Sequence, residues 1–124
     1  MPRTEVVLYR EEDGCVPLVD WLEAVPQRPR AKCIAAMVRL EELGHELRRP
    51  EADYLRDGLY ELRVRYQSVN YRLLYFFHGR VVAVVSHGCT KEKAVPKREI
   101  EIALQRKLRF EHDPEKHTER FTRD

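Results

Sequence analysis

No apolar run in this 124-residue chain approaches the roughly 20 residues needed to span a bilayer. The N-terminus, Met-Pro-Arg-Thr-Glu, carries no apolar region that would mark it for export. Cysteine is scarce: Cys15, Cys33 and Cys89 are an odd count at scattered spacing, which gives neither a disulfide framework nor a zinc pattern. The expectation is three thiols acting as small hydrophobes in a reducing cytoplasm. There is no Gly-rich phosphate loop and no Ser/His/Asp arrangement. His45, His78, His112 and His117 show no metal-ligand spacing with cysteine or with one another. Neither metal nor cofactor is expected, and no membrane partner. Internal repeats and low-complexity linkers are absent, and the acidic pairs Glu11-Glu12 and Glu41-Glu42 read as solvated faces.

What the chain does have is one domain's length and a soluble composition, 43% hydrophobic with 35% charged. Its formal charge of +2 hides a strong asymmetry. Between Arg56 and Arg98 stand nine bases (Arg56, Arg63, Arg65, Arg72, Arg80, Lys91, Lys93, Lys97, Arg98) against three acids (Asp57, Glu61, Glu92), a net +6. The flanking segments are acidic, −3 before and −1 after. A cationic block is the electrostatic footprint of a polyanion partner.

Periodicity supplies the elements. Val6–Tyr9 is a β-prone run closed by the turn Glu11–Gly14. Pro17 opens a short helix to Val25 whose stripe includes Trp21; Pro26 and Pro29 interrupt, and a longer helix follows from about Arg30 to Leu43, with Gly44 just past its end. The Ile34/Met37/Val38 stripe and Trp21 read as core. From Tyr54 the period becomes two. Leu59–Tyr66, Tyr71–Phe77 and Val81–Ser86 are predicted strands, the last two joined at His78-Gly79. A last helix follows Pro96, with Ile100, Ala103, Leu104 and Leu108 on one face. The predicted fold is α+β in the order β-α-α-β-β-β-α: a mainly antiparallel sheet with two N-terminal helices and a C-terminal one. The predicted domain is 1–110, and 111–124 is a charged tail expected to fray or to serve a partner.

Register makes the charge pattern specific. A turn around Tyr66–Val69 pairs Arg65 with Asn70, Val64 with Tyr71 and Arg63 with Arg72. A two-residue loop at His78-Gly79 pairs Phe77 with Arg80, Leu74 with Ala83, Arg72 with Val85 and Asn70 with His87. Arg63, Arg65, Asn70, Arg72 and His87 then share one face; Leu62, Val64, Tyr71, Leu73, Tyr75, Val82 and Val84 share the other. Like charges directly opposite in a sheet are destabilising, so Arg63 across from Arg72 calls for an anion between them.

The motifs Gly58-Leu59-Tyr60-Glu61-Leu62-Arg63, Tyr71-Arg72-Leu73-Leu74-Tyr75-Phe76, His87-Gly88-Cys89-Thr90-Lys91-Glu92-Lys93, Pro96, and Glu99–Ala103 with Arg106 resemble the RelE/HigB toxin superfamily, closest to its phage-derived HigB-like branch. The resemblance covers the strand-rich half and the last helix. It implies a RelE-like fold and the toxin of a type II toxin-antitoxin system, a ribosome-dependent mRNA endoribonuclease that inhibits translation. It implies as partners a cognate helix-turn-helix antitoxin, the ribosome and mRNA, with operator DNA reached only through the antitoxin. By position, Arg63 and Arg72 match strand arginines near the active site, Lys91 and Lys93 match a basic loop whose paired lysines are here split by Glu92, and His87 matches the His-Gly before it. Some relatives end in a catalytic Tyr, whereas this chain has none after Tyr75.

Metal-free RNA cleavage uses the 2′-hydroxyl against the adjacent phosphate and needs a proton acceptor, a proton donor to the leaving 5′-oxygen and cations for the developing charge. Arginine is the natural phosphate clamp, which assigns Arg63 and Arg72. Acid or base work falls to His87, Lys91 or Lys93. Arg65, Arg80, Lys97 and Arg98 are assigned to RNA-backbone contacts. The alternative is a non-catalytic RNA- or ribosome-binding module using the same patch, favoured by the missing Tyr and by Glu92. A DNA-reading helix is disfavoured because the basic residues lie on strands and a loop.

Overall fold

A computed structural model describes residues 3–90 and 93–122. In chain order the elements are β1 (Glu5–Tyr9), α1 (Pro17–Ala24), α2 (Gln27–Leu43), a 3-10 turn (Gly44–Glu46), β2 (Ala52–Arg56), β3 (Leu59–Tyr66), β4 (Val69–His78), β5 (Val82–Thr90), α3 (Lys97–His112) and β6 (Thr118–Arg120). The strands form one sheet in the order β2-β3-β4-β5-β1-β6. The fold is α+β, as the periodicity predicts, but the sheet is mixed: β1 lies parallel to β5, and the other neighbours are antiparallel.

Helices cover both faces. On one side α1 and α2 bury Leu18, Cys33, Met37 and Leu40 against Leu62, Leu73, Tyr75 and Val85. On the other, α3 buries Ala103 and Phe110 against Leu59, Leu74, Phe76 and Val84. Helix α2 starts at Gln27, earlier than predicted, because Pro29 falls in its first turn, where the N–H that proline lacks has no helical acceptor anyway. It stops at Gly44, whose φ of +52° favours glycine and whose missing side chain leaves room for Thr4. Trp21 is half-buried and meets Tyr71 edge-on at 6.2 Å between ring centres. Its indole occupies the space that a side chain at Gly88 would need.

Two strands lie outside the predicted order. Strand β2 is short and polar, Ala-Asp-Tyr-Leu-Arg, and draws its order from the ladder that β3 offers. Strand β6 lies in the segment expected to fray; it pairs with β1 through Val7↔Arg120, Leu8↔Glu119 and Tyr9↔Thr118. His117, just before it, is buried, stacks on Tyr9 at 5.0 Å and bonds through Nδ1 to the Arg10 carbonyl at 2.7 Å. These contacts tie residues 117–120 to the domain.

The apolar stripe of α3 also differs in detail. Ile100 and Leu104 are partly buried, but Leu108 is 61% exposed and Phe110 takes the core position at the helix end. Truncating Phe110→Ala is therefore expected to destabilise the fold by about 3–5 kcal/mol, while Leu108→Ala changes stability by no more than about 0.5 kcal/mol; denaturant melts of the two variants check both.

The β3–β4 register is the predicted one: Arg65↔Asn70, Val64↔Tyr71 and Arg63↔Arg72. The β4–β5 register is not. His78 pairs with Val82, Phe77 with Ala83 and Tyr75 with Val85, because His78 is still part of β4 and the connection is the three residues Gly79–Val81, centred on Arg80. Val84 consequently packs with the α3 cluster and Val82 lies against it, not with Leu73 and Tyr75. Past Tyr75 the ladder slips once more at a bulge, so that Leu74 faces His87, Leu73 faces Gly88 and Arg72 faces Cys89. Ser86 is the extra residue. The bulge, not the hairpin arithmetic, returns His87 to the arginine side of the sheet.

Candidate functional site

On the α3 side, at the β3–β4 turn end of the sheet, lies an open groove of about 560 Å³. Strand alternation sends Glu61, Arg63 and Arg65 of β3, and Asn70 and Arg72 of β4, to this side. Asp53 and Leu55 of β2 form one wall, and Lys93, Ala94 and Val95, on the loop into α3, form the other. Among the described residues, four cations thus meet two carboxylates.

The two carboxylates differ. Asp53 is held by Arg49, at 2.9 Å from Nε and 2.8 Å from the terminal nitrogen, and this bond keeps its carboxyl below the usual aspartate range. Glu61 is 6% exposed and lies between the two strand arginines, 3.5 Å from the Nε of Arg63 and 3.5 Å from that of Arg72. It is the anion that the opposed guanidiniums require. Neither contact reaches hydrogen-bond range, and among the described residues the buried Nε of Arg72 has no hydrogen-bond partner. Burial raises the Glu61 carboxyl above its ordinary value, with the charges of Arg72 and then Arg63 opposing. In the sequence Glu61 stands out only as one of three acids within the cationic block. The available signal was its place two residues before Arg63, hence on the same strand face.

Arg72 is almost wholly buried, its side chain 9% exposed, and Arg63 is more open at 35%. Arg65 is exposed and makes no ion pair among the described residues. Lys93 is exposed on the groove wall. Lys91 falls outside the described residues. Lys97 and Arg98 begin α3 and are exposed, Lys97 lying 3.9 Å from Glu101. Arg80 is not brought to this site: it follows β4, whose run from Arg72 to His78 alone covers about 20 Å.

His87 shares the face but does not line the groove; it is 8% exposed beneath α3. Its Nε2 lies 3.0 Å from Glu99 Oε1 and its Nδ1 2.8 Å from Ser86 Oγ. Arg106 donates to Ser86 Oγ at 3.3 Å and to Glu11 Oε2 at 3.2 Å. With the Ser86 oxygen accepting from Arg106, its hydroxyl donates to Nδ1, and the Nε2 proton goes to Glu99. That chain of bonds holds a neutral ring. Burial lowers the His87 pKa; the Glu99 bond opposes the shift and the Arg106 charge adds to it. The network spans β5, α3 and the turn after β1, and clamps α3 to the sheet beside the groove.

Among the described residues, no three His, Cys, Asp or Glu side chains cluster as a cation cage, and no helix is long and apolar enough to cross a membrane. Cys33 is buried, its thiol pushed up to about 12, and the exposed Cys15 donates to Asp20 at 2.9 Å, which pushes it up to about 11.

The sheet, its helical cover and the arginine-lined groove define a small α+β protein whose open surface suits an anion. Residues 20–108, well over half of the chain, match the family model described as "Phage derived protein Gp49-like (DUF891)", and the chain belongs to that family, a toxin-like family related to RelE and HigB. No curated protein matches the chain.

Proposed function

We propose that this chain is the toxin of a type II toxin-antitoxin pair and that it cleaves mRNA on the ribosome without a metal. The observation that supports the reading is the triad of Arg63, Glu61 and Arg72 in an open cationic groove. Arg63 and Arg72 hold the non-bridging oxygens of one phosphate, with the unpartnered Nε of Arg72 among the donors. Glu61, whose raised pKa suits a base better than an ordinary carboxylate does, takes the proton from the 2′-hydroxyl. The 2′-oxygen bonds to phosphorus and the bond to the 5′-oxygen breaks. Lys93 or Lys91 delivers a proton to that leaving oxygen, so the products are a 2′,3′-cyclic phosphate and a free 5′-hydroxyl. Arg65, Lys97 and Arg98 grip flanking backbone in a salt-sensitive manner. His87, enclosed and neutral, acts as a positioning residue for α3. The expected partners are the ribosome, mRNA and an antitoxin of the helix-turn-helix kind, and the expected site of action is the cytoplasm.

One observation favours the second reading, a binding module that does not cut. Glu61 occupies the space between the arginines and offsets part of their charge. Inducing the chain in growing cells and mapping mRNA 5′ ends separates the two. Growth arrest with new ends inside translated frames is expected; ribosome association without new ends establishes the binding module instead.

A further inference from the structure

A row of aromatic rings crosses the sheet on the face opposite the groove and toward its other end. Tyr54 of β2 pairs with Tyr60 of β3, and Tyr60 with Tyr75 of β4, so the three side chains leave one face; Phe77, two residues past Tyr75, joins them. Ring centres lie 5.1 Å apart for Tyr54 and Tyr60, 5.4 Å for Tyr60 and Tyr75, and 5.4 Å for Tyr60 and Phe77. His45, on the 3-10 turn, continues the row, stacked on Phe77 at 3.6 Å and within 20° of parallel. Asp53 and Leu55, on either side of Tyr54, line the groove instead, so β2 presents one face to each site. Along β3, Tyr60 and Arg65 stand about 17 Å apart.

The row is open at both ends. Helix α2 stops at Leu43, and among the described residues no strand lies beyond β2. Tyr75 is buried and Tyr60 and Phe77 are half-buried, but Tyr54 is 53% exposed and His45 is exposed. Both outer rings are nonetheless held. The Gly58 N–H donates to the Tyr54 hydroxyl at 3.1 Å, and stacking on Phe77 fixes the imidazole. Arg48 stands beside the row, donating to the His45 carbonyl at 2.9 Å. Burial and the neighbouring Tyr60 raise the Tyr75 hydroxyl, and the charge of Arg48 opposes them. Arg48 is exposed and makes no ion pair among the described residues, whereas Arg49 is matched by Asp53. Fixed, exposed ring faces beside an unmatched guanidinium fit an unpaired nucleobase and its phosphate. A neutral sugar leaves that charge unused, and a cationic ligand is repelled by it.

We propose that this row is a second RNA site, a platform on which unpaired bases of single-stranded RNA stack against Tyr54 and His45 while a phosphate takes the remaining donors of Arg48. Every base has a π-face, so the platform selects for unpaired bases and not for sequence. The groove lies on the other face of the sheet, so the two sites hold different segments of RNA. One places the scissile phosphate; the other retains the chain on unpaired RNA nearby. The proposal rests on the RNA-binding half of the proposed function and not on cleavage.

The test uses the full chain with oligoadenylate and, as control, an abasic ribose-phosphate oligomer of the same length and charge. The wild type is expected to bind oligoadenylate about tenfold more tightly, the scale of one stacked base. Tyr54→Leu and His45→Ala are each expected to lose most of that preference while keeping wild-type affinity for the abasic oligomer. Tyr54→Trp, which restores a stacking surface, is expected to keep the preference. Oligoadenylate is expected to shift the ring-proton resonances of Tyr54 and His45, in Arg72→Lys as in the wild type. Equal affinity of the wild type for the two oligomers, or full preference in both folded variants, overturns the platform; if Tyr54→Leu melts at a lower temperature, His45→Ala alone decides. Shifts confined to Arg63, Arg65 and Arg72 overturn the platform and leave the groove. Shifts confined to the ring row uphold the platform and overturn the groove reading.

Discussion

Arg72→Lys is expected to slow mRNA cleavage on the ribosome by about 10²–10³-fold while leaving the fold intact. The argument is geometric. Arg72 is held nine-tenths buried on β4, directly across from Arg63, with Glu61 at 3.5 Å. Lysine keeps the positive charge beside Glu61 and so spares the buried carboxylate an unpaired state, which would otherwise be strongly destabilising. What it loses is the planar fork that binds two phosphate oxygens at once, and the Nε donor that Arg72 leaves unbonded. If the arginine serves only to neutralise Glu61, the lysine variant cleaves at the wild-type rate, and that result ends the clamp assignment. Single-turnover cleavage on programmed ribosomes supplies the rate, and thermal melting confirms the fold. Arg80→Ala is the internal control: on a loop at the far end of β4, it is expected to change the rate by less than about twofold, within the effect of one screened, distant cation.

The part of this site that the sequence made legible is local, and the reason lies in the geometry of strands. Alternation in Leu59–Tyr66 and the short turn after it were enough to set Arg63 opposite Arg72, because a tight hairpin leaves little freedom in register. The β4–β5 pairing failed on the same kind of argument. The turn there is one residue longer than predicted and lies farther along the chain, so Phe77 meets Ala83 and not Arg80, and the bulge at Ser86 adds a further slip; no period in Val82–Thr90 announces either. His87 reached the predicted face for a reason the sequence did not show. Its burial was hidden as well, since it depends on Glu99 and Arg106, 12 and 20 residues from their partners in the His87–Ser86 pair. Strand β6 was missed because Thr-Glu-Arg has no apolar pattern of its own; its order comes from β1 and from His117 packed on Tyr9. Glu61 was visible as a neighbour of Arg63 but not as a buried group, because only the assembled sheet brings Arg72 up beside it and removes water from it.

That burial leads to the second large effect. Glu61→Gln is expected to lower the cleavage rate by about 10²–10⁴-fold, the range for loss of a positioned general base. It also makes a prediction that a structural ion pair does not. The Glu61 carboxyl is raised above its ordinary value, so in the wild type the rate falls as pH falls through that raised value, because the protonated acid cannot accept the 2′-hydroxyl proton. The glutamine variant retains a low rate without that acid limb. Stability has its own sign. Between the ordinary carboxyl value and the raised one, the folded state holds more protons than the unfolded state, so stability contributed by this group falls as pH rises. Relative to Glu61→Gln, the wild type should therefore gain stability as pH is lowered through that window. The two measurements separate the roles: a variant that alters the melting curve with pH but keeps the wild-type acid limb in kcat/KM leaves Glu61 as a counter-ion for Arg63 and Arg72, and proton transfer must then be reassigned to Lys93 of the groove wall.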